Sequence, residues 1–100
     1  MERKLLAIVA ADMVGFSRLV ENNEIEILKR QKKHFIEIIK PTVDKYTGRI
    51  IKTTGDGFLA TFESSMSAVE SSLIIQRKIN ELEGKYNNYE SIWYRFGINI

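Results

Sequence analysis

No cysteine occurs in the chain. A disulfide framework, a thiolate metal site and a cysteine nucleophile are therefore excluded, and a reducing, cytoplasmic compartment is the expectation. Charge of one sign is also lacking. Fifteen Lys and Arg stand against thirteen Asp and Glu, for a net charge of +2. The two signs are interleaved, which argues against a nucleic-acid groove or a polybasic membrane patch. No stretch approaches the ~20 consecutive apolar residues of a membrane-spanning helix. Residues 1–4 (Met-Glu-Arg-Lys) followed by the apolar run 5–11 faintly resemble a secretory leader. That run is short and meets Asp12 at once, so a buried strand is the better reading. Low complexity, repeats and linkers are absent too. What is present is an apolar fraction of 44% in 100 residues, enough for one small domain or part of a larger one.

The most informative stretch is Arg-Ile-Ile-Lys-Thr-Thr-Gly-Asp-Gly-Phe-Leu-Ala-Thr-Phe, residues 49–62. Two β-prone runs, Arg49–Thr53 and residues 58–62, flank Thr54-Gly55-Asp56-Gly57. Gly and Asp tolerate positive φ, so the pattern predicts a tight hairpin with a carboxylate at its tip. Residues 4–11, apolar without a break after Lys4, read as a strand covered on both faces or lying at the centre of a sheet. Asp12 ends that run, Gly15 permits a sharp turn, and residues 16–21 read as a short helix. Asn23 and Glu26 resemble a capping box. Ile25, Leu28, Phe35, Ile38, Ile39 and Val43 follow at helical spacing, with Lys29, Arg30, Lys32 and Lys33 as a solvated flank. Pro41 is expected to kink or interrupt this helix and Gly48 to stop it. Ser64 or Ser65 caps the next helix, whose inward stripe reads Ala68, Val69, Ser72, Leu73, Ile75, Ile79 and Leu82. Gly84 ends it. Residues 85–91 are a polar loop, and residues 92–100 a fourth strand.

The order β-α-β-β-α-β predicts an α+β fold, the ferredoxin-like split βαβ arrangement. Its four-stranded antiparallel sheet carries both helices on one face. Strand three then lies between one and two, and strand one between three and four. The end of strand one sits beside the start of strand three, so Asp12 and Asp56 become neighbours at one edge of the sheet. Two hard carboxylates there suit Mg²⁺ or Mn²⁺, which leave coordination positions for water and substrate phosphate. Residues 13–16 are placed to offer backbone N–H groups at a helix start to a polyphosphate. The plainer alternative is a turn residue at 56 and a helix-side cap at 12.

Ala-Ala-Asp-Met-Val-Gly-Phe-Ser-Arg-Leu at residues 10–19 and Gly-Arg-Ile-Ile-Lys-Thr-Thr-Gly-Asp-Gly-Phe-Leu-Ala at residues 48–60 resemble the two N-terminal signature blocks of class III nucleotidyl cyclases. Phe96-Gly97-Ile98 resembles the start of that family's next block. The resemblance implies that residues 1–100 form a single domain, the N-terminal portion of the catalytic domain, stopping before its second half. By position, it implies that Asp12 and Asp56 are the catalytic metal-binding aspartates, with the Met13 backbone carbonyl as a further ligand for two Mg²⁺ or Mn²⁺ ions. Val14, Gly15 and Phe16 would cradle the triphosphate. Lys52, four residues before Asp56, would read the base, as in adenylate rather than guanylate cyclases. The implied reaction is cyclisation of a nucleoside triphosphate, ATP, to a 3′,5′-cyclic monophosphate and pyrophosphate. The site would lie between two subunits of a homodimer, with Lys52 serving the twin's nucleotide. The second base-reading residue and the transition-state Asn and Arg of the family are not matched, so weak or no turnover is expected of these residues alone. The rivals are a non-catalytic nucleotide-binding or dimerisation module of the same fold, and a diguanylate cyclase. Gly-Asp-Gly-Phe departs from the Gly-Gly-Asp/Glu-Glu-Phe pattern of the latter. His34 is read as a surface or packing residue, Asp44 as a helix-end or solvated residue, and Trp93 and Tyr94 as core or interface; Arg49 and Arg95 flank strands, with a phosphate contact as the lesser reading of each.

Overall fold

The computed structural model describes residues 6–86 and 90–100. The first two residues of the predicted opening strand, the leader-like residues 1–4 and the centre of the predicted polar loop, residues 87–89, lie outside the described residues. The elements run β1 (Ala7–Met13), α1 (Phe16–His34), a π turn (Phe35–Ile39), α2 (Lys40–Lys45), β2 (Arg49–Thr53), β3 (Gly57–Phe62), α3 (Ser65–Glu83) and β4 (Tyr94–Asn99). The sheet order is β2-β3-β1-β4, with every neighbouring pair antiparallel. This is the split βαβ arrangement expected from the order of elements.

β1 is central, but it is not covered on both faces. Ala7, Val9, Ala11 and Met13 point into the core, whereas Ile8 is 40% exposed and Ala10 is exposed. The helices shield one face only, so the period-2 alternation is set by packing although nearly every residue is apolar. The strand also runs on through Asp12 to Met13. β3 shows the same alternation, with Phe58, Ala60 and Phe62 inward. Ile38, Ile39 and Val43 from the first helical segment and Ile75 and Ile79 from α3 close over this face. Each such aliphatic side chain contributes about 2 kcal/mol by leaving water.

The helices depart from the sequence reading at definite points. The predicted short helix and the long one meet at Asn23, whose φ of −163° and ψ of 74° break the helical path. Past that break the inward stripe is Ile27, Arg30, His34 and Ile38, not Ile25 and Leu28. Ile25 is 83% exposed. The stripe was misplaced because two of its positions are polar. Pro41 does not interrupt the helix. The π turn over Phe35–Ile39 widens the path just before it, and Pro41 falls in the first turn of α2, where a missing N–H costs nothing. The helix ends at Lys45, and the left-handed stop falls on Thr47, one residue before Gly48. Thr47 takes the left-handed conformation (φ 57°), its N–H bonds to Asp44 O at 3.0 Å, and Gly48 N–H bonds to Val43 O at 2.9 Å. α3 begins as expected, with Ser64 Oγ accepting from Ser67 N–H at 3.0 Å. Val69 and Leu73 are exposed, and Ser71 and Glu83 are buried in their place.

A polar chain crosses the core. Arg30 and Glu83 are each 2% exposed, so Arg30 is no part of a solvated flank; His34 is fully buried, the packing rather than the surface alternative. Arg30 donates to Glu83 through Nε (3.3 Å) and through Nη2. His34 Nε2 lies 2.8 Å from the same carboxylate and Nδ1 lies 2.9 Å from Tyr94 Oη. Burial pushes the Tyr94 phenol up, so it keeps its proton and donates to Nδ1. Nε2 then carries the imidazole hydrogen toward Glu83. Burial, and after it the neighbouring Arg30 and Lys33 cations, push the imidazole down to about 4. Glu83 does not reverse this, because Arg30 already matches its charge. The unfolded chain therefore takes up a proton at His34 first as pH falls from 6.5. The stability contributed is complete above pH 6.5 and lost progressively toward pH 4. Urea midpoints are expected to fall across that window, by up to about 1.4 kcal/mol per pH unit, with a shallower slope in His34→Gln.

Candidate active site

Asp12 is the penultimate residue of β1, opposite Gly57 on β3 and Arg95 on β4. Asp56 precedes Gly57 in the hairpin turn, which closes through Thr54 N–H to Gly57 O at 2.8 Å. The turn does not use positive φ at its glycines. Gly57 is required for a different reason: a Cβ there would overlap the Ala11 carbonyl oxygen and stand 2.8 Å from Asp12 Cα. The hairpin tip is pinned to β1 by Met13 N–H donating to Asp56 O at 2.7 Å. Backbone thus joins the two aspartates, and both side chains line one open cleft of about 550 Å³ with Thr54, Leu59, Arg95 and Gly97. Asp56 Oδ1 accepts from Thr54 Oγ1 at 3.3 Å.

Arg95 donates to Asp12 Oδ1 from Nε at 3.0 Å, with both side chains well exposed to solvent. Read from sequence as a strand-flanking residue, Arg95 belongs to the cleft. Its position was available from topology: once β4 lies antiparallel beside β1, residue 95 falls opposite residue 12. Arg18 was also missed. It bonds Glu90 at 2.6 Å and its guanidinium lies close over Gly15. No local pattern announces that long-range pair.

Gly15 takes the left-handed conformation (φ 66°, ψ 31°) and caps α1. Val14 N–H is engaged by the Trp93 carbonyl at 2.7 Å. Gly15 and Phe16 stand where a helix leaves N–H groups without intrahelical acceptors. Lys52 is exposed on the edge strand β2, across from Leu59, and does not line the cleft of the aspartates. Among the described residues no group of three or more His, Cys, Asp or Glu gathers as a ready-made metal cage. The pair Asp12 and Asp56, in an open cleft, fits instead an ion of the Mg²⁺ kind, which takes one or two protein carboxylates and completes its shell with water and phosphate.

No protein-family model matches the chain. A protein of Rhizobium meliloti (strain 1021) named "Putative adenylate cyclase 3" is 36% identical over 98 residues, covering 98% of this chain and 17% of its own length. The crystal structure of an adenylate/guanylate cyclase/hydrolase from Silicibacter pomeroyi superposes with a TM-score of 0.85 at 47% identity, covering 98% of this chain and 57% of that one. The chain has the fold of a class III nucleotidyl cyclase catalytic domain. The adenylyl cyclase CyaB from P. aeruginosa, at 23% identity and a TM-score of 0.81, agrees in fold. The chain spans little more than half of the Silicibacter structure and a small part of the Rhizobium protein. No helix among the described residues is long and apolar enough to cross a membrane.

Proposed function

We propose that this chain is the N-terminal portion of a cyclase catalytic domain that converts ATP to 3′,5′-cyclic AMP and pyrophosphate. The reading is carried by the convergence of Asp12 and Asp56 in one cleft with Arg95 beside them. The likeness to the 47% identical cyclase/hydrolase supports it. Asp12 and Asp56, with the Met13 carbonyl, would hold Mg²⁺ or Mn²⁺, two ions per site. Bound there, such ions supply Lewis-acid chemistry, acidifying the ribose 3′-hydroxyl and neutralising charge on the phosphates. The chain's own residues do the rest. Gly15 and Phe16 direct N–H groups at the start of α1 toward the triphosphate. Arg95 releases Asp12 and turns its guanidinium to a phosphate oxygen. Lys52, exposed on the edge strand and outside this cleft, reads the adenine held by a second copy, which makes the working unit a homodimer.

Purified protein incubated with Mn²⁺ and ATP should yield cyclic AMP, at a low rate. Lys52→Glu is expected to shift preference from ATP toward GTP by about tenfold to a hundredfold, the worth of one hydrogen bond to a charged group. An unchanged ATP-to-GTP ratio would remove Lys52 from base recognition. The second reading is a nucleotide-binding or dimerisation module without turnover. The Asp12–Arg95 ion pair favours it, since a cation of the chain already occupies one carboxylate oxygen. Binding without any cyclic product would decide for that module.

A further inference from the structure

We propose that the buried chain Arg30–Glu83–His34–Tyr94 is a positioning device that sets where β4 begins, and thereby the arrangement of Asp12, Met13 and Val14. The proposal rests on the cyclase reading of the cleft only for its consequence in nucleotide binding. Its structural content stands on the contacts alone.

Glu83 Oε1 accepts from the Ile92 N–H at 2.7 Å, and the Ile92 side chain is fully buried. Two residues on, Tyr94 is held through its hydroxyl by His34. Arg30 binds the approach to this segment: it donates to the Glu90 carbonyl at 3.1 Å and lies over the Tyr86 ring, 4.5 Å from its centroid. Four polar groups from α1, α3 and β4 therefore converge on one short stretch. Residues 93–95 of that stretch meet Val14, just past β1, and then Met13 and Asp12 at its end, in reverse order. The Trp93 carbonyl accepts from Val14 N–H, Tyr94 stands opposite Met13, and Arg95 stands opposite Asp12 and bonds to it. One carboxylate at the end of α3 thus fixes the frame in which β4 meets the site.

A stability role alone is a poor account of this arrangement. A buried ion pair can be exchanged for apolar residues of similar volume at little cost, whereas removing one partner strands a buried charge. What apolar residues cannot supply is an acceptor for Ile92 N–H. Replacement of both partners separates the two roles. Arg30→Met with Glu83→Gln keeps an oxygen for Ile92 N–H and presents an NH2 to His34, which meets it in its other tautomer, with Nδ1–H donating to the Tyr94 hydroxyl. Arg30→Met with Glu83→Leu keeps the packing and loses the acceptor.

Amide exchange by NMR on the metal-free protein reads the frame directly, with calorimetry of Mn²⁺-ATP binding as the second readout. In the Met/Leu variant, Val14 N–H exchange is expected to quicken at least about tenfold beyond any change in global unfolding, and Mn²⁺-ATP affinity to fall about tenfold to a hundredfold, as for lost outer-shell partners of a metal site. The Met/Gln variant should stay within about threefold of the parent in both, since the hydrogen bond survives without its charge. Tyr94→Phe, which deletes only the hydroxyl, should move both readouts in the Met/Leu direction. Val14 exchange and the Arg95 Nε–H signal unchanged in Met/Leu would overturn the proposal, whatever nucleotides do. Retained binding in Asp12→Ala would instead overturn the cyclase reading, and leave the exchange result to stand by itself.

Discussion

Asp12→Ala and Asp56→Ala should each abolish Mn²⁺-dependent ATP binding, weakening it by at least about a hundredfold, while the protein stays folded. The size follows from the donor set. Among the described residues only two acidic side chains line the cleft, so neither has a substitute. Loss of an outer-shell partner at a metal site costs about tenfold to a hundredfold, and a direct ligand costs no less. The fold does not depend on either carboxyl group. The Asp12–Arg95 pair is exposed, which makes it worth about 1 kcal/mol or less. Asp56 makes one long bond to Thr54, and its contribution to the hairpin is through its backbone carbonyl, which alanine retains. Calorimetry showing parental affinity in both variants would refute metal binding at this edge. Asp56→Ala also spares Arg95, so comparison of the two separates loss of a ligand from release of the arginine.

The largest expected effect on stability is at Gly57. Gly57→Ala would drive a methyl group into the Ala11 carbonyl, with the Asp12 backbone immediately behind. Both obstacles are main chain, so no rotamer change relieves the overlap. β1 and β3 must part where Ala11 pairs with Phe58 and Asp12 with Gly57. The expected loss is about 3 kcal/mol or more. For a domain of this size that lowers Tm by roughly 12 °C or more. Gly55→Ala is the control. A Cβ at Gly55 meets nothing within 4 Å, and its effect should stay within about 0.5 kcal/mol. Equal melting midpoints for the two variants would show that the strands are free to separate here. Any loss of nucleotide binding in Gly57→Ala should exceed its loss of global stability, because the overlap lies between the two aspartates.

The sheet was legible from the chain because its strands are short apolar runs bounded by glycine and polar turns, and because two helices interleave them in one order. That order alone brought Asp12 beside the hairpin. Arg95 was within the same reach, since the register that pairs 12 with 57 on one side pairs it with 95 on the other. The buried network was not. Hydrophobic periodicity sees Arg30, His34 and Glu83 as solvent-facing, and so it rotated the first helix toward Ile25 and Leu28. A polar residue goes inside when a partner from a distant element satisfies it, and no local window contains that partner. The helix ends were misjudged for a related reason. Pro41 and Gly48 are strong local signals, yet a π turn absorbed the first, and Thr47 took the strained conformation ahead of the second.

The two central strands come from opposite ends of a long intervening segment, which includes all of α1, α2 and β2. Zipping Ala7–Met13 against Gly57–Phe62 therefore closes a large loop, and its entropic cost must be met before either aspartate has a neighbour. A half-folded chain holds no half-built cleft. A cation gripping both carboxylates would bind only the finished topology and so act as a clasp on that closure. Occupancy should raise the refolded fraction by mass action, and a chelator should lower it.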